Sequence, residues 1–79
     1  MKTNKNQHHQ KRMEYISSFI RNYRQNVGKT QYDLSESASS VHRNTIIRAE
    51  AGKNISLLKL FEILDAMKLS PQDLFMEVD

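Results

Sequence analysis

The chain has no cysteine, a single proline and two glycines in 79 residues. Without cysteine there is no disulfide framework, no thiolate zinc site and no thiol nucleophile. No apolar run approaches the ~18 residues of a membrane span, and the polar N-terminus lacks the apolar stretch of a signal peptide. The expectation is a soluble, cytoplasmic protein. Its length leaves room for one domain with a small core, because a chain of this size buries only about 60% of its unfolded surface. Most enzymes set a pocket into a larger scaffold, so an enzyme is not expected. Serine, histidine and aspartate all occur, but nothing in their order places them as a catalytic triad.

What is present is charge, unevenly spread. Lysine and arginine number 12 against 9 aspartates and glutamates, a formal net charge of +3. Residues 1–30 carry Lys2, Lys5, Lys11, Arg12, Arg21, Arg24 and Lys29 against Glu14 alone. Residues 31–53 balance three against three, and residues 54–79 set two lysines against five acids. A basic end and an acidic end suggest two different jobs, and the basic end suggests a polyanion.

Met1 to Gln10 has no aliphatic residue after the initiator and is expected to be a flexible basic arm, residues 1–10, ahead of a folded domain at 11–79. Beyond it the pattern is helical. Ile16, Phe19, Ile20, Tyr23 and Val27 recur at spacings of three and four, giving a first helix over about Lys11–Asn26 that Gly28 stops. Thr30 can cap a second helix, Gln31–Ala38, with Asp33 completing a variant of the capping box. Ser39 and Ser40 make a turn. A third helix covers about His42–Ala51, with Gly52 as its stop. Ser56 caps a fourth, about Leu57–Lys68, whose apolar positions are Leu57, Leu60, Phe61, Leu64 and Met67. Ser70 and Pro71 open a last short helix to about Met76. Strand-like alternation is absent, so the class is all-α: a compact bundle of five short helices.

The second and third helices, with a short turn between them, have the helix-turn-helix arrangement. On the third, Ile46 and Ala49 can face the core while Arg43, Asn44, Ile47 and Arg48 share the outward surface. Arginine reads guanine edges with two hydrogen bonds, asparagine can do the same for adenine, and an isoleucine can meet a thymine methyl. On spacing alone, a DNA-reading face and an ordinary solvated helix face are about equally supported.

Four pieces in order shift that balance. Thr30-Gln31-Tyr32-Asp33-Leu34-Ser35-Glu36 resembles the T-Q-x-x-L-A/S-x signature of lambda-repressor-like helix-turn-helix domains, also called the Cro-type or XRE family. Asn44 to Lys53 resembles that family's T-I-x-x-x-E-x-G-K ending. Ser56-Leu57-Leu58-Lys59-Leu60 and Ser70-Pro71-Gln72-Asp73-Leu74-Phe75 fit its fourth and fifth helices. The resemblance covers about residues 13–76. It implies a double-stranded DNA-binding transcriptional regulator, usually a homodimer on an inverted repeat, with no cofactor. It places Arg43, Asn44, Ile47 and Arg48 at bases. It sets Thr30, Gln31, Thr45, Lys53 and Asn54 at phosphates, where Gln31 would gain from the helix N-terminus. Tyr32, beside Gln31, and His42, near the groove, join the phosphate set. Arg24 and Glu50 match a family ion pair tying the first helix to the end of the third. Leu69, Phe75, Met76 and Val78 form the candidate dimer surface, while Leu74 is assigned to the core.

The sequence departs from the family pattern in three ways. Leu34 and Glu50 lie one position farther apart than usual, the glycine common in the turn is replaced by Ser39 and Ser40, and Ala49 stands where a larger aliphatic is typical. The last thins the core. Among other candidates, His8 and His9 fall short of the three or four convergent ligands of a metal site. Tyr15, Phe19 and Tyr23 suggest a base-stacking row, but Phe19 and Tyr23 belong to the core face. Arg21 reads as a solvated charge. Asp33 and Glu36 could form an acidic patch touching RNA polymerase. A second function class fits the same length: an antitoxin that neutralises a partner toxin through its tail and autoregulates its promoter.

Overall fold

A computed structural model describes residues 5–38 and 41–76, with side chains from residue 8 onward. Among these residues there are five helices and no strand: α1 (Lys5–Asn26), α2 (Gln31–Ser37), α3 (Arg43–Glu50), α4 (Leu57–Ala66) and α5 (Pro71–Phe75). The fold is all-α. The Ser39–Ser40 turn, Val78 and the first four residues of the expected arm lie outside the described residues.

The helix α1 begins at Lys5, within the stretch expected as an arm and well before Lys11. No proline or glycine interrupts Lys5–Gln10, and extending an existing helix adds one hydrogen bond per residue fixed. Its other end closes in a Schellman arrangement. Lys29 N–H donates to Arg24 O at 3.1 Å and Gly28 N–H to Gln25 O at 3.0 Å, with Gly28 left-handed at φ +77°. The same closure recurs at the end of α3, where Gly52 has φ +75°, and at the end of α4. There the left-handed residue is Lys68, at φ +60°, which carries the steric cost that glycine avoids.

Each start is capped locally. Thr30 and Asp33 form a reciprocal capping box at α2, and Ser70 and Asp73 form another at α5, where Pro71 fills the first turn. Ser56 accepts from Lys59 N–H at 3.1 Å to open α4. These short-range devices fix the ends of α2, α4 and α5, and α3 packs against α1, α2 and α4.

The core draws on every helix: Ile20, Leu34, Ile46, Ile63, Leu64 and Leu74 are fully buried. Phe19 and Tyr23 pack against this cluster, their rings stacked at 6.3 Å between centroids. On α4 the buried residues are Leu60, Ile63 and Leu64, joined by its C-cap residue Met67. Leu57, expected among them, is 61% exposed, and Phe61 lies at the margin. Leu57 is three residues before Leu60, about 60° away around the helix, and lies outside the packed cluster. Val27 is likewise exposed, because it falls after the last turn of α1. An apolar cavity of about 140 Å³ lies between α1, the end of α3 and α4, with Met13, Ile16, Ala49, Ile55 and Leu60 among its lining.

Candidate nucleic-acid interface

The helix α3 sorts its residues by angle. At about 100° per residue, Ala49, Ile46 and Glu50 fall within one arc, and Arg43, Ile47, Asn44 and Arg48 fall within a separate one that adjoins it at Arg43. Burial follows the same division: the first three are buried and the other four are exposed. The outward arc thus carries two guanidinium groups, one amide and one aliphatic chain, the groups that hydrogen-bond and pack against base edges. Thr45 sits between the arcs, half-buried.

Around this arc lie further exposed polar residues. His42 is the N-cap residue of α3, with extended backbone and no side-chain capping bond. Its carbonyl accepts from Thr45 N–H at 2.9 Å, so its exposed imidazole takes no part in starting the helix. Thr30 and Tyr32 are exposed at the first turn of α2, and Lys53 and Asn54 are exposed in the segment after α3. Arg48 is already engaged: its Nη2 donates to Asn54 O at 3.0 Å.

Behind the arc is a buried polar cluster centred on Glu50. Arg24 Nε donates to Glu50 Oε2 at 2.6 Å and Nη2 to Oε1 at 3.0 Å, a bidentate pair between α1 and the last residue of α3. Both residues are more than nine-tenths buried. The hydrogen-bonded carboxylate holds the Arg24 guanidinium above its ordinary pKa, against the opposing effect of burial. Arg24 Nη1 also donates to Lys29 O at 2.7 Å, closing the exit from α1. Removing one member of such a pair leaves the other charge buried and costs about 3–5 kcal/mol.

Two contacts at this cluster were missed in the sequence. Gln31 is half-buried, and its Nε2 donates to Glu50 Oε1 at 3.2 Å, so the amide assigned to a phosphate also belongs to the buried cluster. Arg21 is half-buried rather than solvated, and its Nη1 donates to Glu50 O at 3.0 Å. The spacing of three between Arg21 and Arg24 puts them on one face of α1, which is the signal that could have joined them.

The remaining sequence candidates are dispersed. Asp33 is exposed, its carboxyl held below the ordinary carboxylate range, first by the Thr30 N–H, then by the Thr30 side chain and nearby Lys29. Glu36 is exposed on the same helix. His8 and His9 lie on α1 with ring centroids 5.9 Å apart, and no group of three or more metal-ligating side chains occurs among the described residues. Leu69 packs half-buried against the core, whereas Phe75 and Met76 are exposed at the end of α5.

The family model for the helix-turn-helix matches residues 20–74, from the last two turns of α1 to the buried leucine of α5. The chain belongs to the lambda-repressor-like helix-turn-helix family. Its members are DNA-binding regulators, and within this chain α2 packs directly on α3. Comparison with curated proteins and with solved structures gives no match. Among the described residues no helix is long and apolar enough to cross a membrane.

Proposed function

We propose that this helix-turn-helix protein is a sequence-specific transcriptional regulator that binds double-stranded DNA as a homodimer on an inverted repeat. The recognition helix α3 enters the major groove, where Arg43, Asn44, Ile47 and Arg48 meet base edges. Thr30, Gln31, Tyr32, His42, Thr45, Lys53 and Asn54 face backbone phosphates, and the basic N-terminal end adds attraction that does not depend on sequence. Leu69, Phe75, Met76 and Val78 supply the dimer surface, which sets half-sites about one helical turn apart.

The observation that carries this reading is the outward arc of α3, four exposed base-competent side chains backed by the buried Arg24–Glu50 pair. That pair ties α1 to the end of the helix proposed to meet DNA.

The test begins with selection of bound duplexes from a random pool at stated salt, where an inverted repeat is the expected product. On the selected site, Arg48→Ala should cost ~1–3 kcal/mol and relax preference at one base pair. Lys53→Ala should instead weaken all duplexes alike and reduce the salt slope by ~1. If neither variant changes binding to any duplex, the assignment of this surface fails.

A further inference from the structure

We propose that Arg21 is a positioning residue for the recognition helix: it fastens the backbone end of α3 to α1 and so holds the direction of the base-reading arc. The inference rests on the DNA-reading role proposed for α3. Arg21 Nη1 donates to Glu50 O at 3.0 Å, and Nη2 lies 3.5 Å from Ser18 Oγ on its own helix. Glu50 is therefore gripped twice from α1. Arg24 takes its carboxylate, and Arg21 takes its carbonyl.

The two grips do different things. A carboxylate is separated from its backbone by rotatable side-chain bonds, so the Arg24 pair fixes a side chain and leaves the helix axis some swing. A bond to the carbonyl acts on the helix itself. The last carbonyls of any helix lack intrahelical partners and form the negative end of its dipole, so a guanidinium there is doubly favoured.

The helix α3 has only eight residues. Arg43 sits roughly 10 Å along the axis from Glu50 at 1.5 Å per residue, so a swing of about 10° at Glu50 moves the Arg43 backbone by nearly 2 Å. Hydrogen bonds to base edges hold only over a few tenths of an ångström, so such a swing breaks them. Contacts to phosphates, made by long flexible side chains, tolerate it better.

This gives Arg21 a signature different from that of a base or phosphate contact. Arg21→Ala should lower affinity for the selected duplex about tenfold or more, comparable to one mismatched base pair. Affinity for random duplex and the salt slope should stay as in the unaltered protein. Arg21→Lys, which keeps a charge and donors at the same place, should recover most of the loss. Amide hydrogen exchange supplies a readout without DNA: the Ala51, Gly52 and Lys53 amides, which bond back to α3 carbonyls, should exchange faster in Arg21→Ala while Leu34 and Leu64 do not.

Equal losses on selected and random duplexes, or no loss on either, overturn the proposal, and a shallower salt slope would make Arg21 a phosphate contact instead. If Arg21→Ala does not fold, Arg21→Gln takes its place as the loss variant, with Arg21→Lys still the rescue. Failure of the unaltered protein to select any duplex would remove the proposed function. The exchange measurement would still decide whether Arg21 holds the end of α3.

Discussion

Thr30 and Asp33 show how one short polar exchange defines a helix start. The Thr30 N–H donates to Asp33 Oδ2 at 2.9 Å, and Asp33 N–H returns a bond to Thr30 Oγ1 at 3.0 Å. The folded carboxyl lies below its ordinary range, so its charge adds stability that is present above the unfolded value near ~3.9 and lost as pH falls through the folded value. The melting temperature of Asp33→Asn should therefore lie below that of the unaltered protein near neutrality, and the gap should close in acid below about pH 4. A gap that persists in acid would show that the charge of Asp33 is not its source. At this scale the sequence was readable wherever partners are close along the chain, as Thr30 and Asp33 are. Arg21 and Gln31 meet Glu50 across 29 and 19 residues, and the one local hint is the spacing of three between Arg21 and Arg24.

Among the elements, α2 to α5 could be read from their punctuation. Serine, threonine, proline and glycine stand at the boundaries, and the observed ends differ from the expected ones by one or two residues where a capping residue was counted as helical. The start of α1 was not legible, since Lys5–Gln10 carries no capping signal and little hydrophobic periodicity. The inward face of α4 was legible in angle but not in extent, because how far neighbouring helices reach is a property of their packing. Leu57 is the residue that shows it.

Packing also leaves the cavity beside Ala49, where the sequence shows a small side chain in place of a larger aliphatic. Ala49→Leu keeps a strong helix former at that position and puts apolar volume into the space. It should stabilise the fold by ~0.5–2 kcal/mol, with each kcal/mol raising the melting temperature by about 4–8 °C in a domain of this size. A lower melting temperature in a thermal scan would show that the cavity cannot take the longer chain without strain.

At the scale of the molecule, the charge asymmetry takes on direction. Arg24 and Arg21 are spent on Glu50, so the basic count of the first thirty residues overstates what is free to meet a polyanion. Lys53, Arg43 and Arg48 remain exposed around α3. Phe75 and Met76 are exposed near the acidic C-terminal end of the chain. In the proposed dimer, replacing both with aspartate should convert the sedimenting species to monomer. It should also weaken binding to the inverted repeat with little change in helicity. An unchanged dimer would place the subunit contact elsewhere.

The same arrangement governs how the chain folds. The caps and helix stops connect residues at most five apart, so they can form independently within each helix, and small helical domains with mostly local contacts fold in microseconds to milliseconds. The grip of Arg21 and Arg24 on Glu50 spans 29 and 26 residues, so it closes a much longer loop than any cap or helix stop. Loop entropy therefore predicts that α3 acquires its fixed bearing on α1 after the local turns are set.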